Sequence, residues 1–132
     1  MLHVLLVEDN PADAQMVREA IRASPVMADV MIAYDGEQAL QFVIEFGFVP
    51  NIVFLDLTVP RLDSFGLLEY LHVNHGPPVI VLTGSSDPAN RKRAKNSGAE
   101  EYLVKPSDMD EFLTVVRDAI ERWGGQAAAR GL

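Results

Sequence analysis

The sequence predicts an α/β fold in which a parallel β-sheet lies between two layers of α-helices. Strand-like and helix-like stretches alternate five times along the chain, and this alternation is typical of repeated βα units. The strand-like runs around Leu5, Val53 and Val81 are continuously apolar, as expected for central strands whose two faces are both covered. With 132 residues, of which 48% are apolar, the chain can bury the core of one such domain.

The individual elements follow from local patterns. Strands are predicted at residues 3 to 7, 30 to 34, 52 to 56, 79 to 82 and 101 to 104. Asn10-Pro11 and Asp87-Pro88 each place a capping side chain before a proline at the first helical position, which predicts a helix start at both places. Ser107, with an acidic residue three positions later, resembles a capping box and predicts a third start.

The last helix is predicted from an apolar stripe at helical spacing. Its members are Met109, Phe112, Leu113, Val116, Ile120 and Trp123. Gly124-Gly125 is predicted to end this helix, so that the domain covers residues 1 to 123 and residues 124 to 132 form a C-terminal tail. At the end of the second helix, Phe46, Phe48 and Val49 are predicted to close the core.

The charge and the amino-acid composition exclude several classes of function. Acidic side chains outnumber basic ones by 19 to 11, giving a net charge of −8, and such a field repels nucleic acid. The absence of cysteine excludes disulfides and thiol catalysis. The N-terminus lacks the features of a signal peptide, and no apolar run is long enough to cross a bilayer. We therefore expect a cytoplasmic protein that binds neither nucleic acid nor membrane.

Four of the predicted strands run directly into polar residues. Glu8 and Asp9 follow the first strand, Asp56 closes the third, Thr83 follows the fourth and Lys105 follows the fifth. The carboxyl ends of parallel strands meet at one edge of the sheet, which is where open α/β sheets bind ligands. We therefore expect these carboxylates, the hydroxyl and the ammonium group to share one crevice.

This set of groups suits a divalent metal ion and a phosphoryl group. Carboxylates gathered in one crevice repel each other, and a bound cation relieves that repulsion. Oxygen ligands without histidine or thiol favour Mg²⁺ over zinc. Asp56 can accept a phosphoryl group as a mixed anhydride, while Lys105 and Thr83 can contact the phosphoryl oxygens. A cis peptide bond between Lys105 and Pro106 is predicted to turn the lysine over the strand ends.

Over nearly its whole length, from about His3 to Trp123, the chain resembles the receiver domains of two-component response regulators. The motifs in the family's order and spacing are Val7-Glu8-Asp9-Asn10, Leu55-Asp56 with Val59-Pro60, Leu82-Thr83, Gly98-Ala99 and Tyr102-Leu103-Val104-Lys105-Pro106. The resemblance implies a flavodoxin-like, doubly wound sheet of five parallel strands in the order 2-1-3-4-5 with five helices.

The resemblance also implies roles for individual residues. Asp56 would be phosphorylated by a sensor histidine kinase, and Thr83 and Lys105 would contact the phosphoryl group. Thr83 and Tyr102 match the switch positions, where the aromatic side chain turns inward as the threonine moves toward the phosphate. The implied ligands of Mg²⁺ are Glu8, Asp9, Asp56 and the backbone carbonyl of Thr58.

The partners that the resemblance implies are a sensor histidine kinase and a downstream protein or phosphotransfer target. A second copy of the chain is a further candidate, through the fourth helix, the fifth strand and the fifth helix. The opening from Glu8 to Asp13, the stretch from Ser85 to Pro88 and Trp123 resemble small regulators that partner bacterial phytochromes. We expect a stand-alone receiver whose output is a binding surface.

Other functions stay open at this point. An aspartyl-phosphate phosphatase or phosphotransferase typically has a second aspartate two residues after the nucleophile, where this chain has Thr58. An unphosphorylated, receiver-like interaction module would need none of the chemistry. A flavodoxin-like mononucleotide carrier would need glycines and hydroxyls where the first strand instead ends in Glu8 and Asp9. We expect no turnover of a separate substrate.

Overall fold

The computed structural model describes residues 1–45, 47, 49–60 and 63–130, and within residues 125–130 it describes the backbone alone. The strands are β1 (Leu2–Val7), β2 (Ala28–Ala33), β3 (Ile52–Leu55), β4 (Val79–Thr83) and β5 (Glu101–Val104). They form one sheet in the order β2-β1-β3-β4-β5, and each neighbouring pair is parallel. The predicted fold class and strand order are confirmed.

Within the described residues, five α-helices connect and cover the strands. They are α1 (Pro11–Ala23), α2 (Gly36–Leu40), α3 (Ser64–Val73), α4 (Pro88–Asn96) and α5 (Met109–Arg130), with a turn of π-helix (Gln41–Glu45) directly after α2. Two of the three predicted caps are confirmed, because the side chains of Asn10 and Asp87 accept backbone N–H groups at the starts of α1 and α4. The third was placed one residue early. Asp108, not Ser107, accepts the N–H of Glu111 at 3.0 Å.

The prediction that Gly124-Gly125 ends the last helix was wrong, because α5 continues to Arg130. A Cβ atom on Gly124 would lie 3.1 Å from Cδ2 of Leu2, so this buried glycine allows α5 to approach β1 closely. A glycine costs a helix only about 1 kcal/mol relative to alanine, and the alanines that follow favour helix. Residues 131 and 132 of the predicted tail lie outside the described residues.

Three residues after the second helix, Phe46, Phe48 and Val49, were predicted to close the core. Phe46 and Phe48 lie outside the described residues. Val49, which was predicted to pack in the core, is 76% exposed, so that part of the prediction was wrong. Val49 lies between the π-helical turn and β3, where neither a strand nor a helix directs its side chain inward.

The core lies on both faces of the sheet. Successive residues of a strand point to opposite faces: Leu6 and Phe54 pack with α1 and α5, whereas Leu5 and Leu55 pack with α3 and α4. This explains why the central strands are continuously apolar. In the described part of the chain, no helix is long and apolar enough to span a membrane.

Gly98, between α4 and β5, is a position where only glycine fits. Its φ is +109°, and a Cβ there would lie 2.5 Å from Cγ of His72. We expect Gly98→Ala to lower the free energy of unfolding by at least about 2 kcal/mol, because the new methyl group meets both steric and backbone strain. Urea unfolding measures the change. Gly84→Ala is the matched control, since no atom lies within 4 Å of its added Cβ, and a similar loss there would contradict the local explanation.

Glu101, the first residue of β5, fastens that strand to α5. Its carboxylate accepts hydrogen bonds from the guanidinium of Arg122 and the indole N–H of Trp123. Partial burial alone would raise the pKa of Glu101, but these two partners outweigh it and lower the pKa below its ordinary value. A lowered carboxyl pKa stabilises the fold above the unfolded pKa, and that contribution is lost as the pH falls through the folded pKa.

We expect Glu101→Gln to lower the free energy of unfolding by about 1 kcal/mol at pH 7. The difference from wild type should shrink as the pH falls below about 4.3, the ordinary glutamate pKa, because the wild-type carboxylate then becomes protonated. Urea unfolding at a series of pH values checks both parts. The neighbouring exposed Glu100 gives the control Glu100→Gln, and a pH-independent difference for Glu101→Gln would contradict the assignment.

Candidate functional site

The predicted polar residues lie at one edge of the sheet. Glu8 directly follows β1, Asp56 follows β3, Thr83 is the last residue of β4 and Lys105 follows β5. Glu8, Asp56 and Thr83 are buried, whereas Asp9 is exposed. Because β3 pairs with both β1 and β4, Asp56 lies at the middle of this edge.

Lys105 connects the carboxylates of the site. Its Nζ atom donates to Oδ2 of Asp13 and to Oδ2 of Asp56, both at 2.8 Å, and forms an ion pair with Oε1 of Glu8 at 2.6 Å. Burial alone would lower the pKa of Lys105, but the carboxylates of Asp13, Asp56 and Glu8 outweigh it and raise the pKa above its ordinary value. The ammonium group therefore stays charged at neutral pH, with three carboxylates around it.

The cis peptide bond predicted between Lys105 and Pro106 was wrong, because that bond is trans. The backbone N–H of Lys105 donates to the carbonyl of Thr83 at 2.7 Å, so the chain stays beside β4 up to this residue. From there the long side chain of Lys105 reaches its carboxylate partners without a reversal of the backbone.

Asp56 is held as a carboxylate. Its Oδ1 atom accepts the N–H and the hydroxyl of Thr58, both at 3.0 Å, and its Oδ2 atom accepts from Lys105. Burial alone would raise the pKa of Asp56, but the hydrogen bonds from Lys105 and Thr58 outweigh it and lower the pKa. An ionised oxygen at the end of a central strand is thus available as a nucleophile.

Glu8, Asp9 and Asp56 can hold a divalent cation. One carboxylate oxygen from each lies within 4.8 Å of the other two, and no other such group occurs among the residues that the structure describes. Burial, aided by the negative charge of Asp56 and opposed by Lys105, raises the pKa of Glu8 to about 7. A cation would relieve this crowding of like charges, and an all-oxygen ligand set fits a hard divalent ion.

Tyr102 lies inward and is only 9% exposed. Its hydroxyl donates to the backbone carbonyl of Ser85 at 2.7 Å, which ties β5 to the loop that follows Thr83. The guanidinium of Arg91 stacks over the tyrosine ring, 4.8 Å from its centroid, and Arg91 also donates to the carbonyl of Tyr102 at 3.4 Å. The two predicted switch residues are therefore linked through a single loop.

The family model of the response regulator receiver domain matches residues 4–117. The chain belongs to this family. Among curated proteins, the receiver is 37% identical to the probable transcriptional regulator ycf27 of Porphyridium aerugineum, over 89% of this chain and 48% of that protein. It is 31% identical to the DNA-binding response regulator MtrA of Mycolicibacterium smegmatis, over 90% of this chain and 50% of that protein. The chain thus spans about half the length of these relatives.

Solved structures of response regulators share the fold of this receiver. The Mn²⁺-bound form of Rcp1 is 27% identical with a TM-score of 0.82, covering 93% of this chain and 94% of the other. The phosphorylated cyanobacterial phytochrome response regulator RcpA is 25% identical with a TM-score of 0.84, covering 92% and 93%. RPA3017, in red light signaling of R. palustris, is 28% identical with a TM-score of 0.80, covering 93% and 94%. The predicted family resemblance is confirmed.

Asp13 is the residue of the receiver's charged cluster that the strand-end pattern of the sequence did not predict. Asn10 accepts the N–H groups of Ala12 and Asp13, which places Asp13 in the first turn of α1. A helix that begins just after β1 starts at the same edge of the sheet as Glu8. The cap followed by an acidic residue in the first turn was the signal that could have identified Asp13, although helix starts commonly carry such residues without any site nearby.

Proposed function

We propose that this receiver accepts a phosphoryl group on Asp56 from a sensor histidine kinase of a two-component system and thereby switches a protein-binding or dimerisation surface. The observation that carries the proposal is the buried, ionised carboxylate of Asp56, which is bonded to Lys105 at 2.8 Å. Two further carboxylates, Glu8 and Asp9, lie close enough to share a cation with it. Phosphoryl transfer requires mainly positioning and charge neutralisation, and these residues supply both.

In the transfer step, a carboxylate oxygen of Asp56 forms a bond to phosphorus. The P–N bond of a phosphohistidine, or the P–O bond of a small acyl phosphate, breaks and its electron pair leaves with the donor. Asp56 needs no general base, because it is already ionised. Lys105 keeps its protons throughout and stabilises negative charge on a phosphoryl oxygen, while Thr83 offers a hydroxyl to another.

We propose Mg²⁺ as the resident ion, held by Glu8, Asp9, Asp56 and the backbone carbonyl of Thr58. Oxygen ligands with room for retained water and phosphate oxygens match the preferences of Mg²⁺. The Mn²⁺ bound by Rcp1 supports a divalent ion in this class of site. When bound, Mg²⁺ neutralises charge on the phosphoryl oxygens.

The switch would pass from the site to the surface through Thr83 and Tyr102. If the hydroxyl of Thr83 moves toward a phosphoryl oxygen, the loop that contains Ser85 moves with it. Tyr102 holds the carbonyl of Ser85 at 2.7 Å, so the change is passed to β5 and to the helices α4 and α5 beside it. We propose that a downstream protein, a phosphotransfer partner or a second copy binds there.

The phytochrome-related neighbours favour a bacteriophytochrome as the kinase. RcpA is a cyanobacterial phytochrome response regulator, and RPA3017 acts in red light signaling. Phosphotransfer from candidate kinases, compared at equal concentration, tests this part. Transfer from a bacteriophytochrome at least about tenfold faster than from other kinases would support it, and equal rates would contradict it.

Intact-mass spectrometry of the wild-type protein, incubated with acetyl phosphate and Mg²⁺, tests the function. We expect one phosphoryl adduct, which disappears when a chelator is present and maps by fragmentation to the peptide containing Asp56. No adduct would favour an unphosphorylated interaction module. Release of inorganic phosphate in large excess over protein, with no adduct accumulating on Asp56, would favour a phosphatase.

A further inference from the structure

Lys105 is shared with a third carboxylate, that of Asp13, which belongs neither to the acceptor nor to the cation-binding set. We propose that Asp13 is a positioning residue that restrains Lys105 in the unphosphorylated receiver and so slows phosphoryl transfer to Asp56. The inference rests on the proposed function, since it concerns the same lysine and the same acceptor.

The hydrogen-bonding capacity of the ammonium group is the first reason. An ammonium has three N–H bonds; Lys105 donates to Asp13 and Asp56, and its Nζ also lies 2.6 Å from Oε1 of Glu8 in an ion pair. Lys105 can donate to an incoming phosphoryl oxygen only by weakening one of these three contacts. The hydrogen bond to Asp13, at 2.8 Å, holds the ammonium toward α1. Asp13 is not itself the acceptor of the phosphoryl group.

The position of Asp13 is fixed by the start of α1. The Asn10 side chain accepts the backbone N–H of Asp13 at 3.2 Å. Pro11, the first residue of α1, has a backbone φ angle that its ring holds fixed. The side chain of Asp13 is only 27% exposed, so solvent screens its contact with Lys105 incompletely. The start of α1 therefore holds Asp13 in the position from which it restrains Lys105.

The charge of Asp13 acts in the same direction as its hydrogen bond. Glu8, Asp9 and Asp56 already gather negative charge at this edge, and a phosphodonor is itself anionic. Asp13 adds a further negative charge and draws away the positive charge that the transfer needs. The hydrogen bond to Lys105 and the repulsion of the phosphodonor therefore both predict that removing the charge of Asp13 accelerates phosphoryl transfer.

The test is the rate of adduct formation with acetyl phosphate at saturating Mg²⁺, measured by intact mass on quenched samples. We expect Asp13→Asn to raise the maximal rate constant about threefold to tenfold, which corresponds to about 0.7–1.4 kcal/mol. Glu19→Gln, on an exposed position of α1, makes the same change in net charge and should alter the rate less than about twofold.

Salt separates contact from long-range repulsion. At about 0.5 M salt, repulsion between exposed charges is largely screened, so a gain that persists there supports a restraint acting through Lys105. A gain that disappears at high salt, or an unchanged or lower rate in Asp13→Asn, would overturn the inference. Asp13→Ser, which also removes the charge and keeps a small polar side chain at the helix start, is the second variant should Asp13→Asn fold poorly. A wild-type protein without an adduct would overturn the proposed function itself, which is a different result.

Discussion

Asp56→Asn should abolish the phosphoryl adduct, lowering its rate of formation by at least about a thousandfold. The amide that replaces the carboxylate is a far poorer nucleophile and carries no charge to bind a cation. Intact mass after incubation with acetyl phosphate and Mg²⁺ measures the effect. Asp118→Asn, on an exposed position of α5, is the matched control and should form the adduct at the wild-type rate.

The fold of the Asp56→Asn variant should persist. Its loss of charge removes one of the influences that raise the pKa of Glu8, so the remaining carboxylates repel each other less. Urea unfolding without metal should therefore show a free energy equal to that of wild type within about 1 kcal/mol. An adduct that remains on the variant would mean that another carboxylate, such as Asp9, is the acceptor.

Lys105→Met should weaken both the chemistry and the fold. Without the ammonium, the carboxylates of Glu8, Asp13 and Asp56 lose their shared partner, and removing one member of a largely buried ion pair costs about 3 kcal/mol. We expect a loss of about that size in the free energy of unfolding without metal. Adduct formation should slow by about 100-fold, since one source of charge stabilisation is lost.

The stability difference between Lys105→Met and wild type should depend on pH and on added Mg²⁺. Because the pKa of Lys105 is raised in the folded protein, its contribution should persist from neutral pH to about pH 10 and shrink only as the pH rises further. Added Mg²⁺ should restore part of the stability by binding the unpaired carboxylates. Lys95→Met, at an exposed position of α4, is the control. Equal stability of Lys105→Met and wild type would refute the central role of the lysine.

Most of the site could be predicted because its residues are fixed by a local rule. Glu8, Asp56, Thr83 and Lys105 each stand at the end of an apolar run, and parallel strands bring such ends together. Asp13 did not follow that rule, since it lies on a helix rather than at a strand end. Its contact with Lys105 joins residues 92 positions apart, and no local pattern specifies a pair at that separation.

The wrong predictions about α5 arose where a local sequence signal competed with tertiary packing. The glycine pair Gly124-Gly125 resembles a helix end, yet Gly124 fits against Leu2, a contact between opposite ends of the chain. Asp108 caps α5 where Ser107 was expected, because the cap is the residue just before the helix and the structure starts that helix at Met109.

By itself, the sequence determined the fold class, the strand order through the family resemblance, and which polar residues meet at the carboxyl edge of the sheet. Apolar runs and strand ends are local features, and they are sufficient for these conclusions. Only the tertiary structure decided how Lys105 is shared among Glu8, Asp13 and Asp56. It also decided that the peptide bond between Lys105 and Pro106 is trans. Such geometry depends on how distant elements pack, because an ammonium bonds to whichever carboxylates the fold brings within about 3 Å.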